Sequence, residues 1–287
     1  MNSSLTRIQI AEYTTRRANA PTDLSAALDF WSFAGAAANV VMQLSWPEVG
    51  HGVIESRVES GALMKHPWKR ARTTVQYLQV AILGTDNERA AYREAVNAAH
   101  RQVQSTATSP VKYNAFDRDL QMWVAACLFI GFEDTYQLLH GRLTPEEAEQ
   151  FYATAMPLGT TLQVTEDQWP ASRADFDVYW NTACERIHID DEVRDYLLRL
   201  IGLKMVSPIL RWNFGRLLRF LTIGSLAPVF REAMRLPWSA AEQRRFENLF
   251  LFVSYVNTFL PKVVRQGTSR VLMADLRSRI SKNKPLV

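Results

Sequence analysis

Residues 86–104 read DNERAAYREAVNAAHRQVQ, and the spacing of their apolar positions decides the class of the fold. Tyr92, Val96, Ala99, His100 and Val103 fall at i, i+4, i+7, i+8 and i+11, one stripe of a 3.6-residue helix rather than the alternation of a strand. Asp86 reads as the cap of this helix, and Gly84 suits the end of one beginning near Pro67. The same pattern continues in both directions. Thr144-Pro145-Glu146-Glu147 is a capping box with Pro at the first helical position, where no N–H is needed. Ser239-Ala240-Ala241-Glu242 is a second, and Ser172 with Asp175 opens a third helix. Helices are expected at about 24–45, 68–83, 87–105, 117–140, 145–156, 173–187, 190–202, 211–222, 239–260 and 268–280. No repeat, low-complexity stretch or linker interrupts them. The expected fold is all-α: a single multi-helix domain, globin-like in character, at 28–265, with an N-terminal segment 1–27 and a basic C-terminal helix or tail 266–287.

Composition agrees. A chain of 287 residues, 47% hydrophobic and 22% charged, is neither disordered nor a disulfide scaffold. Its two cysteines, Cys127 and Cys184, are too few for a four-thiolate metal site, and Cys127 in an apolar run reads as a buried free thiol. Met1 to Ala20 carries charges and no continuous apolar core, so no secretory leader is expected and the reading is cytoplasmic. The uncharged run Phe30–Pro47 is short for a span of about 20 residues and reads as a buried helix. Charge is uneven: residues 262–287 hold seven Lys and Arg against Asp275, a net of +6 that leaves −2 on the remainder. Such an end reads as a solvated tail able to make weak contact with a membrane surface. It lacks the interleaved aromatic residues of a nucleic-acid groove, so no nucleic-acid partner is expected.

Signatures of nucleotide, zinc or serine-nucleophile chemistry are absent. Of the five histidines, His51, His66, His100, His140 and His188, His100 alone stands on an identifiable apolar stripe. There an imidazole is either a hydrogen-bonded core residue or a neutral ligand presenting one nitrogen to a metal. On the preceding helix Arg70, Thr73 and Thr74 set a guanidinium and two hydroxyls on adjacent faces, Arg70 and Thr74 sharing one at i and i+4. That group reads either as a solvated Lys65–Arg72 face or as a buried cation awaiting an anion. The tryptophans, Trp46, Trp68, Trp123, Trp169, Trp180, Trp212 and Trp238 among them, read as core, and Glu146 and Glu147 as first-turn charges.

These pieces occur in a recognisable order. Gly35, Gln43, Trp46-Pro47-x-Val49 and Gly52-Val53 precede Arg70-x-x-x-Thr74, Leu83-Gly84-Thr85 and His100. Tyr113-Asn114-Ala115, Asp119-Leu120-x-x-Trp123-Val124 and Leu143-Thr144-x-x-Glu147-x-x-x-Phe151-Tyr152 follow, then Leu226-Ala227-Pro228-x-x-Arg231-Glu232 and Leu236-Pro237-Trp238-Ser239. Over about residues 28–265 the chain resembles the family that joins latex clearing proteins to the oxygenase MpaB of mycophenolic acid biosynthesis.

The resemblance implies a helical fold enclosing a pocket for haem b, whose iron activates dioxygen for a hydrophobic substrate, in latex clearing proteins by cleaving isoprenoid C=C bonds to carbonyls. It puts the proximal iron ligand at His100 and the distal-side arginine and threonine at Arg70 and Thr74. Thr73 stands where latex clearing proteins carry a distal lysine, Trp46-Pro47 where many relatives have His-Pro, and Trp123-Val124-Ala125 where many have Trp-Val-His. The implied activity is a haem-dependent oxygenase acting on a lipophilic, alkene-type small molecule. The alternatives are a helical protein that binds haem or a lipophile without turnover, and a relative without haem.

Overall fold

Most of the long helices begin where a side chain or a proline relieves the cost of unpaired N–H groups at a helix start. In the computed structural model, which describes residues 3–10, 21, 23–58 and 63–287, these are α1 (Ser3–Thr6), α2 (Ala36–Gln43), α3 (Pro47–Ile54), α4 (Pro67–Leu83) and α5 (Asp86–His100). There follow α6 (Arg118–His140), α7 (Pro145–Ala153), α8 (Pro157–Thr160), α9 (Arg173–Cys184) and α10 (Asp191–Ile201). The chain ends with α11 (Pro208–Gly224), α12 (Pro228–Ala233), α13 (Ala240–Thr258), α14 (Lys262–Arg265) and α15 (Gly267–Ser281). Among the described residues the only β feature is one isolated bridge between Gln104 and Asn114, so the all-α expectation holds. Thr144–Glu147 and Ser239–Glu242 form complete capping boxes, and the Ser172 side chain accepts from the Asp175 N–H. At α5 the cap is Thr85, boxed with Glu88, and Asp86 lies in the first turn.

The hydrophobic interior is organised around α6, which is wrapped by α2, α8, α13 and the short 3₁₀ turns near the N-terminus. Trp123 is fully buried on it and stacks against Trp46 at 4.8 Å and Trp180 at 5.2 Å between ring centroids. Each indole N–H is satisfied: Trp123 donates to the Gln43 carbonyl, Trp46 to Ala183 and Trp180 to Thr6. Trp169 is also core, but Trp68 and Trp212 are exposed, contrary to the core reading given them by sequence. Cys127 and Cys184 are free, buried thiols, with burial raising the pKa of each.

Two expectations need correction. The helix expected over 24–45 is broken into the 3₁₀ turns Leu24–Ala27 and Phe30–Gly35 and the shorter α2. Asp23 caps the first turn, Leu28 leaves helical angles, and Asp29 turns aside to pair with Arg265. The basic C-terminal end is a docked helix, not a solvated tail. Met273 and Leu276 of α15 are buried with Val80, Tyr92 and Leu286, Gln76 donates to Asp275 at 2.7 Å, and Arg277 pairs with Glu88 at 2.7 Å.

The expected N-terminal segment lies partly outside the described residues, at 11–20 and 22. Its described part is integrated: Ile8 and Ile10 are buried, and Arg7 pairs with Glu133 at 2.6 Å and with Asp134. Arg173 meets Glu133 from the opposite side with two hydrogen bonds of 2.8 and 2.7 Å, the fork geometry that suits a buried carboxylate. No helix among the described residues is long and apolar enough to cross a membrane.

Candidate functional site

The α4–α5 pair is a hairpin turned at Gly84-Thr85 and locked by one buried hydrogen bond. Tyr92, fully buried on the α5 stripe, donates its hydroxyl to the Thr73 carbonyl at 2.6 Å. Two further bonds clamp the hairpin to α8 and the turn that follows it: Tyr77 to the Leu158 carbonyl at 2.6 Å, and Arg93 to the Thr161 carbonyl at 2.7 Å. The first turn of α4 and the last residue of α5 are therefore fixed relative to each other.

That last residue is His100. Its ring meets Phe116 edge-on, with centroids 6.2 Å apart, and its Nδ1 is buried without a hydrogen-bond partner. Burial, then the positive charge of Arg70, lowers its pKa to about 4, so the imidazole is neutral at physiological pH. Arg70, on the first turn of α4, supplies the second of these causes through its charge. Its own side chain is solvent-exposed, and the surrounding protein lowers its pKa. No carboxylate among the described residues pairs with it.

The two threonines separate. Thr73 is buried and donates its hydroxyl to the Arg70 carbonyl at 3.1 Å, so it braces the turn that carries the arginine. Thr74 is half-buried on the face it shares with Arg70. The α4–α5 hairpin thus offers one neutral imidazole beside an aromatic ring, and on α4 one exposed cation and one hydroxyl on a shared face. Such a set can give a single nitrogen to a metal held by another group and can receive an anion. Among the described residues no three His, Cys, Asp or Glu side chains converge to hold a metal by themselves.

The remaining histidines lie elsewhere. His51 is buried with Nε2 2.7 Å from Asp190 and Nδ1 3.3 Å from Glu55, whose carboxylate also accepts from Tyr113 at 2.9 Å. This knot ties α3 to the start of α10. Burial would raise the Glu55 pKa, but hydrogen bonds from Ser109 and Tyr113 and the His51 charge lower it. His66 and His188 are exposed, and His140 is part-buried 3.9 Å from Asp29. Phe116 escaped sequence reasoning because it meets His100 from the turn before α6, and its spacing does not point there. Arg231 is buried with its guanidinium 5.5 Å above the Trp238 ring, which joins the two halves of the last motif.

The helical architecture fits the class that sequence comparison specifies. The chain belongs to the family described as ER-bound oxygenase mpaB/B'/Rubber oxygenase, catalytic domain, whose model matches residues 25–255. It is 46% identical over 251 residues to the uncharacterized proteins Rv2237 of Mycobacterium tuberculosis and Mb2261 of Mycobacterium bovis, covering 88% of this chain and 98% of each relative. No solved structure matches the chain significantly.

Proposed function

We propose that the chain is a haem b-dependent oxygenase that uses dioxygen on a hydrophobic, alkene-type small molecule, with His100 as the residue that would hold the iron. The observation that carries this reading is the state of His100: neutral, on an apolar stripe, with a buried ring nitrogen that no protein group satisfies. The His51 Nδ1 also lacks a hydrogen bond, but it stands 3.3 Å from the Glu55 carboxylate, and His100 has no such ion pair among the described residues. Bound haem supplies the oxygen chemistry itself, so the protein has no need of an acid–base pair.

The chain's own residues then hold and shape. His100 would hold the iron from the end of α5, where Phe116 meets its ring edge-on. Arg70, exposed and without a carboxylate partner among the described residues, would offer charge-assisted donors to an anionic group such as a haem propionate. Thr73 positions Arg70 through its carbonyl, and Thr74 offers a hydroxyl to a polar atom on the same face. Cleavage of a C=C bond to two carbonyls takes up both oxygen atoms and draws no external electrons.

The test is an ultraviolet–visible spectrum of protein expressed with a haem precursor, oxidised, reduced and with carbon monoxide, followed by oxygen uptake across an alkene panel. A Soret band with uptake supports the oxygenase. A Soret band without uptake on any alkene leaves a haem-binding protein, and a colourless folded protein overturns the reading.

A further inference from the structure

The N-terminal half of α11 carries large apolar side chains that nothing covers. Ile209 is 74% exposed, Trp212 85%, Phe214 51% and Leu217 49%, and burial on this helix is confined to Thr222, Ile223 and Gly224 at its far end. That far end is anchored: Phe220 packs on Trp238 at 5.4 Å and on Phe246 at 6.1 Å, joining α11 to the first half of α13. The second half of α13 and the start of α14 carry their own uncovered residues, Phe252, Tyr255, Phe259, Val263 and Val264. Leaving side chains this large and apolar in water has a cost that only a partner removes.

Charge identifies the partner. Residues 208–224 contain Arg211, Arg216 and Arg219 and no Asp or Glu. All three arginines are exposed, and none pairs with a carboxylate among the described residues. A two-fold contact with a second copy through this helix would set these cations against their own counterparts. A transmembrane placement is excluded, because no described helix is long and apolar enough to cross. Exposed Trp and Phe beside unpaired Arg is the composition of a helix that lies in a lipid interface, the aromatic rings at headgroup depth and the guanidinium groups on anionic phosphates. The C-terminal helix α15 is less suited, since Arg277 and Arg279 are engaged with Glu88 and Asp275.

We infer that the α11 N-terminal half docks the protein on an anionic lipid bilayer surface. This inference is independent of what His100 binds. The experiment is co-sedimentation of the full chain with phosphatidylcholine vesicles, with and without about one-third phosphatidylglycerol, at low and high salt. Partition is expected with phosphatidylglycerol and to fall on removing it or on adding salt. Ile209→Ala with Trp212→Ala should weaken it at least about tenfold, and Arg216→Gln with Arg219→Gln about fivefold for each charge. Trp212→Phe should keep partition while losing most of the blue shift in tryptophan emission. Val178→Ala, at an exposed site on α9, serves as control and should change nothing. No partition to anionic vesicles, partition indifferent to the α11 substitutions, or a concentration-dependent dimer that Trp212→Ala dissolves would overturn the inference.

Discussion

At His100 the chemistry of the site has a measurable signature even before any ligand is added. The folded-state pKa is about 4, against about 6.5 for an unfolded histidine. The unfolded chain therefore takes up a proton as pH falls through 6.5, and the folded chain does not until about 4. Stability from this group is fully present above about pH 6.5 and is lost progressively below it, by about 1–3 kcal/mol at pH 4. Urea unfolding of the apo-protein at pH 7.5 and 5 should show that loss, and His100→Asn should remove its share. Arg70→Gln removes one of the two causes of the shift, so the His100 pKa should rise when followed by NMR. A His100 pKa unmoved by that change would contradict the electrostatic coupling of the two residues. The stripe bearing His100 and the shared face of Arg70 and Thr74 were legible from spacing alone, because both lie within one helix. The division of labour between Thr73 and Thr74 was not, since it depends on which hydroxyl turns back to the Arg70 carbonyl.

At the scale of elements, local chemistry marks helix starts well and long-range contacts poorly. Thr144, Ser172 and Ser239 could be placed as caps because their partners lie three residues away. The break after Ala27 could not, because Asp29 answers to Arg265, 236 residues later. Pro47, Pro208 and Pro228 each open a helix at its first position, a signal present in the sequence but overlooked there. The buried network at the base of α6 makes a sharp prediction. Burial would raise the Glu133 pKa, but Arg7 and Arg173 hold it below the ordinary carboxylate range. Arg173→Ala removes two of its hydrogen bonds and should cost about 3 kcal/mol in denaturant unfolding, whereas Gln150→Ala at the nearby surface should cost well under 1. Gly224→Ala offers a steric counterpart. A Cβ there would stand 2.2 Å from the fully buried Phe246 ring, so the α11–α13 contact must open at a cost of about 1–3 kcal/mol.

For the whole molecule, the helical class was readable from periodicity because every long element repeats the same 3.6-residue pattern. The placement of the basic end was not readable: its charges suggested solvent, while its apolar stripe at Met273 and Leu276 closes on α4 and α5. Exposure of Trp212 was equally hidden, since composition alone cannot distinguish a core tryptophan from one left uncovered. Family membership places an oxygenase on this scaffold, and the proposal that His100 holds its iron is the claim most in need of a test. The most direct test is the absorption spectrum of protein produced with haem precursor, beside His100→Ala. A Soret band that shifts with carbon monoxide and is lost in a folded His100→Ala variant is the predicted result. A colourless wild type that remains unchanged on adding haemin, or a band indifferent to His100, would contradict the assignment.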